Sequence, residues 1–423
     1  TYFLADESQS GLRMFNDLNE DTWDLAANWS TAFSGVRGLP AQVKFGPSVS
    51  RRTRDFSSRR FRFIPINLVR FTGLSGAPES IFTPANIGPR FELREETRST
   101  DFYSAEQHTT AAYGMLDLAL GVRTRVIAGV RVENFRQTVD TQDVFAVDLG
   151  DDPEVIRGEI KETDVFPTVN LVQDLGRNQN FRLGFSQTVN RPEFRELAPF
   201  EFTDIVGGRA VVGNPDLTRS LIRNVDARWE WFPGASEVLA ASLFFKRFDQ
   251  PIERFIEPTA QLRTSFTNAD AARNVGVELE ARREVRPHLV VGANYTFVDS
   301  SITLAASQTN VLTSLERPLA GTSKHVFNGM VEAFWPGFSA RLLVNYFGDR
   351  IADVGSLGLP DIFEEGRATV DVVLSARLRH RFSIRLLVEN INNRPVRYLQ
   401  GGLTHREFTL GRTLAVQFGF IGF

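Results

Sequence analysis

A strict two-residue alternation runs through most of this chain, and it limits the fold more than any other feature. In NVGVELEAR, Val275, Val277, Leu279 and Ala281 fall on one face while Gly276, Glu278, Glu280 and Arg282 fall on the other, the period of an extended strand with two unlike faces. The next run repeats it, with Leu289, Val291, Ala293, Tyr295 and Phe297 opposed to Gly292, Asn294 and Thr296. The same holds for Trp23, Leu25, Ala27 and Trp29, for Val126, Ala128, Val130 and Val132, and for Val370, Val372, Leu374, Ala376 and Leu378. About fifteen such segments occur, near 20–34, 41–57, 104–119, 123–139, 161–176, 180–190, 221–234, 236–250, 271–286, 288–303, 323–335, 337–351, 367–380, 382–397 and 406–423. No helical period competes over a long window.

Segment length separates two all-β solutions. Sandwich strands usually run about 5 or 6 residues, and these segments are commonly twice that. A tilted strand crossing a bilayer needs roughly 9 to 11 residues, with apolar side chains toward lipid and polar ones toward a lumen. Because hydrocarbon leaves no backbone group unpaired, such a sheet has to close on itself. The connections agree, since they alternate in length. Short links fall at 34–41, 120–123, 176–179, 233–236, 285–287, 336–337 and 380–381; long ones fall at 64–103, 140–160, 191–220, 251–270, 304–320 and 352–366. Short turns on one rim and long loops on the other are the grammar of outer-membrane barrels. Trp229 and Trp231 stand beside one short turn and Trp335 beside another, where an interfacial aromatic belt belongs. The fold expected is therefore an all-β transmembrane antiparallel barrel.

Composition removes other classes. The net charge of −3 offers no footprint for nucleic acid. Cysteine is absent, which excludes disulfides and thiolate metal sites. No run approaches the roughly 18 to 20 apolar residues of a membrane helix. The five histidines, His108, His288, His325, His380 and His405, show neither an HExxH motif nor close metal spacing, and no G-x-S-x-G elbow is present. An enzyme is not expected, nor is a cofactor. The acidic stretch DLGDDPE at 148–154 has oxygen ligands for calcium but lacks EF-hand spacing, and reads as a solvated loop.

Four phrases then carry a family resemblance. FSQTVNRPEFRELAPFEF at 185–202, VVGNPDL at 211–217, NVGVELEA at 274–281 and VENINNRPVRYL at 388–399 stand in order before a terminal phenylalanine. Together they resemble the C-terminal barrel portion of TonB-dependent outer-membrane receptors, over nearly the whole chain. The resemblance implies a barrel of 22 strands, plugged by a separate N-terminal domain, that imports a scarce nutrient such as an iron–siderophore complex with energy from TonB and its inner-membrane motor. About 15–16 strands fit in residues 1–423, so the plug and the first strands are expected outside this chain, which begins at Thr1 rather than methionine. A complete 16-stranded passive channel, or a structural barrel completed by a partner chain, stays open as the alternative. Phe423, with Ile421 two residues before it, resembles the signal by which such proteins meet the barrel-assembly machinery. Leu414, Val416, Phe418 and Phe420 are expected to face lipid, with a bulge near 419–422 correcting the register.

Candidate ligand-contacting residues follow from charge. RRTRDFSSRRFRF at 51–63 places Arg52, Arg54, Arg60 and Arg62 on one face. As lumenal or extracellular groups they could meet lipopolysaccharide phosphates, steer an anionic cargo, or pair with Asp55 and lumenal carboxylates; pairing is the simplest expectation. The loop 191–220 should face outside and carries Arg195, Arg209 and Arg219 with Glu193, Glu196 and Asp204. Asn190, Pro192 and the GNPDL turn read as architecture.

Overall fold

The computed structural model describes residues 11–66, 77–98, 101–141, 156–202, 210–257, 263–304, 311–378 and 381–420. Among these residues the wall is one antiparallel sheet of 17 strands in which each spanning strand pairs with the next in sequence. Fifteen crossings result: Leu12–Ala26 continued by Trp29–Ser34, then Pro40–Pro65, Phe102–Ala119, Thr124–Thr141, Arg157–Gly176, Gln179–Asn190, Ser220–Trp231, Val238–Asp249, Ala271–Arg286, Leu289–Thr303, His325–Trp335, Phe338–Phe347, Arg367–Leu378, Phe382–Glu389 and Thr413–Phe420. The seventeenth member, Phe91–Glu95, pairs with the far end of Pro40–Pro65. Among the described residues, the first crossing, Leu12–Ala26 with Trp29–Ser34, and the last, Thr413–Phe420, each pair on one side only.

The alternation read from sequence becomes two surfaces. On Val238–Asp249, Leu243 is 61% exposed on the outer face while Ala240 and Ser242 are buried on the inner one. Val275 and Leu279 are exposed on the outside of Ala271–Arg286. On its inner face Gly276 makes room for a ring: a Cβ there would stand 2.3 Å from Phe244 Cζ. The turns are built for a twisted hairpin. Arg177 and Asn178 both take positive φ, 53° and 60°, the backbone of a tight two-residue connection. Gly337 does the same at 85° between Trp335 and Phe338, whose rings stack at 6.1 Å. Trp229, Trp231 and Trp335 lie on the outer face beside the short turns, and Trp229 Nε1 donates to Gln179 Oε1 at 3.1 Å. No helix among the described residues is long and apolar enough to cross a membrane.

Several boundaries differ from the sequence reading. The first strand begins at Leu12 and breaks at Ala27 and Asn28, where Pro47 opposite has no N–H to give and Ala27 N donates to Pro47 O. The second runs to Pro65 rather than 57, far beyond the length of a bilayer crossing. The segments 337–351, 382–397 and 406–423 are shorter in the wall, ending or starting at Phe347, Glu389 and Thr413. Their remainders and neighbouring connections, including 352–366, fold into a separate small sheet of Arg350–Asp353, Ile362–Glu364, Val396–Gln400 and Leu403–Phe408. A second small sheet joins Glu201–Phe202, Val211–Val212, Ile252–Ile256 and Thr264–Asn268. A bridge from Phe255 to Val354 links the two. These strands of two to six residues carry no readable period. The closing strand keeps its register through Gly419, opposite Ser383, with no bulge up to Phe420. Leu414, Val416, Phe418 and Phe420 are all exposed. Ile421, Phe423 and the acidic stretch 148–154 lie outside the described residues.

Candidate functional site

The long-loop end of the lumen is where polar chemistry gathers. Even-numbered residues of Pro40–Pro65 point inward there, which brings Arg52, Arg54, Arg60 and Arg62 onto the lumenal face and leaves Asp55 on the opposite, exposed one. Their partners are therefore not Asp55 but residues of other elements. Arg52 reaches Glu20 at 3.0 Å and Glu193 at 3.4 Å, and Arg54 Nε meets Glu20 at 2.6 Å. Arg60 grips Asp101 with two hydrogen bonds of 2.7 Å, both side chains buried. Arg62 lies 3.7 Å from Glu96.

The loop after Asn190 folds against this wall rather than standing free. The short helix Phe194–Leu197 drives Phe194 and Leu197, both fully buried, into a cluster with Tyr103, Phe135, Val139 and Ile160 of the wall. The guanidinium groups of Arg52 and Arg54 lie 4.9 and 5.2 Å from the Phe194 ring centre, so the basic strand and the loop share one aromatic anchor. Arg191 ties the loop's entry, bonding Glu133 and Asp164 at 3.0 Å each above the Phe135 ring. Arg219 ties its exit through the same Asp164 at 2.7 Å. Gln137, buried, donates to Pro192 O at 2.8 Å. Arg195 lies over Phe202, and Arg209 and Asp204 fall outside the described residues.

The GNPDL turn closes the loop. Asn214 Oδ1 accepts from Asp216 N at 2.9 Å while its amide donates to Phe266 O at 2.9 Å. Gly213 passes so close to the helix that a Cβ would stand 2.1 Å from Ala198 O and 2.7 Å from Arg195 O. Sequence reasoning named the arginines but missed Glu20, Asp101, Glu133, Asp164 and Phe194. Arg191, inside the NRP phrase, was the available signal that this turn also carries charge.

Glu196 supplies a pH handle outside the membrane. Burial pushes its carboxyl above the ordinary range, with the neighbouring Glu193 charge adding to the rise, against the Glu193 backbone hydrogen bond and Arg254, which favour ionisation. A raised folded pKa means that the folded loop prefers the protonated acid. Its contribution is thus full below about 4.5 and fades as pH climbs through the raised value. Hydrogen exchange across 194–197 should accelerate over that interval beyond its intrinsic pH dependence, and Glu196→Gln should remove the excess. A wild-type profile identical to the variant's would refute the assignment.

Amides also line the inner face, on Leu289–Thr303, His325–Trp335 and Phe338–Phe347. Asn328 Nδ2 donates to Asn294 Oδ1 at 2.7 Å, and Asn345 donates in turn to Asn328, three amides in a row over neighbouring strands. Among the described residues no group of three or more His, Asp or Glu is arranged to hold a metal ion.

A tall antiparallel wall, apolar outside and polar inside, with folded loops over one end, defines a transmembrane β-barrel with a lined lumen. The family model "TonB dependent receptor-like, beta-barrel" matches residues 2–391, and the chain belongs to that family, whose barrels reside in the bacterial outer membrane. Solved structures agree on the fold. The ferric-catecholate import receptor Fiu from E. coli K12, in its closed form, superposes with a TM-score of 0.64 at 14% identity, over 96% of this chain and 55% of that one. The ferric yersiniabactin uptake receptor FyuA from Yersinia pestis gives 0.61 at 16%, over 97% and 55%. The copper transporter OprC gives 0.61 at 16%, over 96% and 57%. The chain thus spans about half the length of the solved structures it matches. A comparison with curated protein sequences finds no match.

Proposed function

We propose that this chain is the barrel of an outer-membrane receptor that binds a scarce nutrient, such as an iron–siderophore complex, and imports it with energy transmitted by TonB. In this reading residues 1–423 form the C-terminal portion of the barrel, and the plug and the first strands belong to a segment outside them. The receptor is a transporter rather than an enzyme. Its further partners are outer-membrane lipid and lipopolysaccharide, the barrel-assembly machinery reached through the terminal Phe423 and Ile421, and no nucleic acid.

The observation that carries the proposal is the folded loop system at one end of the lumen. A passive pore is served by an open mouth, whereas here the described residues of the loop, 191–202 and 210–220, pack aromatic and charged groups inward over Pro40–Pro65. The names of the structural neighbours support a metal-bearing cargo: Fiu and FyuA take up ferric complexes, and OprC transports copper. Arg52, Arg54, Arg62, Arg195, Arg209 and Arg219 stand as the ligand-facing candidates. Arg60 is the weakest of the set, since its guanidinium is buried on Asp101.

Uptake of radiolabelled ferric siderophore by cells carrying the full-length receptor tests this directly. Accumulation should stop when TonB is deleted or the proton gradient is collapsed, with surface binding retained. A steady conductance of the full-length protein in planar bilayers, indifferent to TonB, would replace this reading with the passive channel.

A further inference from the structure

The outer wall carries a row of arginines that the uptake reading does not use. Arg223, Arg247 and Arg273 are direct cross-strand neighbours on three adjacent strands, Arg223 opposite Arg247 and Arg247 opposite Arg273. All three are exposed on the lipid side, at the loop-facing ends of their strands. The row is flanked by Gln187 and Ser301, and Arg273 Nε donates to Ser301 Oγ at 2.8 Å. Like charges placed directly opposite one another destabilise a sheet. The carboxylates on this face offset the row only in part. Asp249 is shared, 3.4 Å from Arg247 and 3.6 Å from Arg223, and Asp299 stands beside Val275, one row further into the membrane.

Immediately on the membrane side of this row the same three strands and the next, Leu289–Thr303, form an apolar groove of about 490 Å³, lined by Val225, Leu243, Phe245, Val275, Val277 and Phe297, with Arg273 and Asp299 at its rim. Guanidinium forks bind phosphate in a bidentate way and hold it in the plane of the row. An apolar groove leading away from that row into the bilayer suits an acyl chain.

We propose that this patch is a binding site for the phosphorylated lipid moiety of lipopolysaccharide, with its phosphates on Arg223, Arg247 and Arg273 and one acyl chain in the groove below them. The site rests on the reading that this wall faces the outer leaflet, and it is independent of the cargo. It assigns the charge of the row a counter-ion that the protein itself supplies only in part.

The test uses the full-length receptor purified from outer membranes in mild detergent, with native mass spectrometry as the readout. The probes are bisphosphorylated lipid A, its monophosphorylated form and inorganic pyrophosphate. Wild type should hold bisphosphorylated lipid A most tightly. The triple variant R223Q/R247Q/R273Q should bind it about a hundredfold more weakly, the summed effect of three basic residues at an anionic lipid surface. Arg247→Gln alone should give an intermediate loss and serves if the triple variant fails to assemble. Leu243→Trp, which fills the groove from an exposed position, should weaken lipid A binding and leave pyrophosphate binding as it is.

Wild-type affinity in the arginine variants would overturn the site. Pyrophosphate binding as tightly as lipid A would reduce it to a free-phosphate site and overturn it as a lipid site, as would an unaffected Leu243→Trp. Extraction of the wild-type receptor without detergent would instead overturn the membrane reading on which the site depends.

Discussion

Replacing Asp101 by alanine should detach the loop-side end of the second strand from its neighbours at a cost of about 3–5 kcal/mol, the range for removing one partner of a buried ion pair. Asp101 has no exposed surface and Arg60 almost none. The carboxylate accepts both Arg60 hydrogen bonds and a third from Arg98 N at 2.9 Å. Its loss leaves a guanidinium buried against Phe200 with the backbone oxygen of Glu201 and the more distant Glu201 carboxylate, 3.7 Å away, as its remaining oxygen partners. The spanning part of the strand is held by ladders on both sides, so the effect should stay local. Heat-modified mobility on gels should survive. Proteolysis and hydrogen exchange should rise sharply near 57–64, 101–104 and 200–202. Unchanged protection there would mean that the pair contributes nothing to the architecture. A double variant, Arg60→Met with Asp101→Leu, should recover much of the protection, because an apolar replacement of similar volume removes both desolvation costs.

The second large effect is expected at Gly213. Substitution by valine places a Cβ against Ala198 O, Arg195 O and Ala198 C, all backbone, so no flexible side chain can move aside. Overpacking of this kind typically costs about 1–3 kcal/mol and more where backbone must shift. What shifts is the docking of the turn on the helix Phe194–Leu197, held by the bond from Asn214 N to Glu196 O at 2.6 Å. Undocking withdraws Phe194 from Arg52 and Arg54 and frees Glu193 from Arg52. Siderophore binding to the full-length receptor should therefore fall at least about tenfold while the barrel still assembles. Retained binding would separate this loop from cargo recognition, whereas Gly213→Ala offers a milder version of the same clash.

These residues also show which parts of the molecule were legible in the sequence. The wall was, because half of each strand meets lipid and the other half meets the lumen, and that contrast writes a period-two pattern into every crossing. Short and long connections were legible for the same reason. The ends of the strands were not: Pro40–Pro65 continues past the bilayer without a change of period, and the wall breaks at Ala27 because of a proline twenty residues later. The loop sheets were invisible, since strands such as Val211–Val212 are too short to alternate. At the site, Arg52, Arg54, Arg60 and Arg62 fall on one face and pair with carboxylates, as read, but Asp55 is not among their partners and which carboxylates they meet was not legible. Glu20, Asp101 and Glu193 lie between 32 and 141 residues away, as their numbering shows, and only the wrapping of the sheet brings them near. Arg191 was hidden inside a phrase that reads as a turn.

The row of Asn294, Asn328 and Asn345 gives the interior two dialects. Facing Arg52 and Arg191, the lining speaks in full charges, whose strength varies with salt. Along the three asparagines it speaks in dipoles, which neither salt nor any accessible pH alters, until Glu280, directly opposite Asn294 and bonded to Arg228, returns it to charge. A surface that touches the three amides alone is held by shape and amide geometry, and can leave them without a charged group having to be rehydrated.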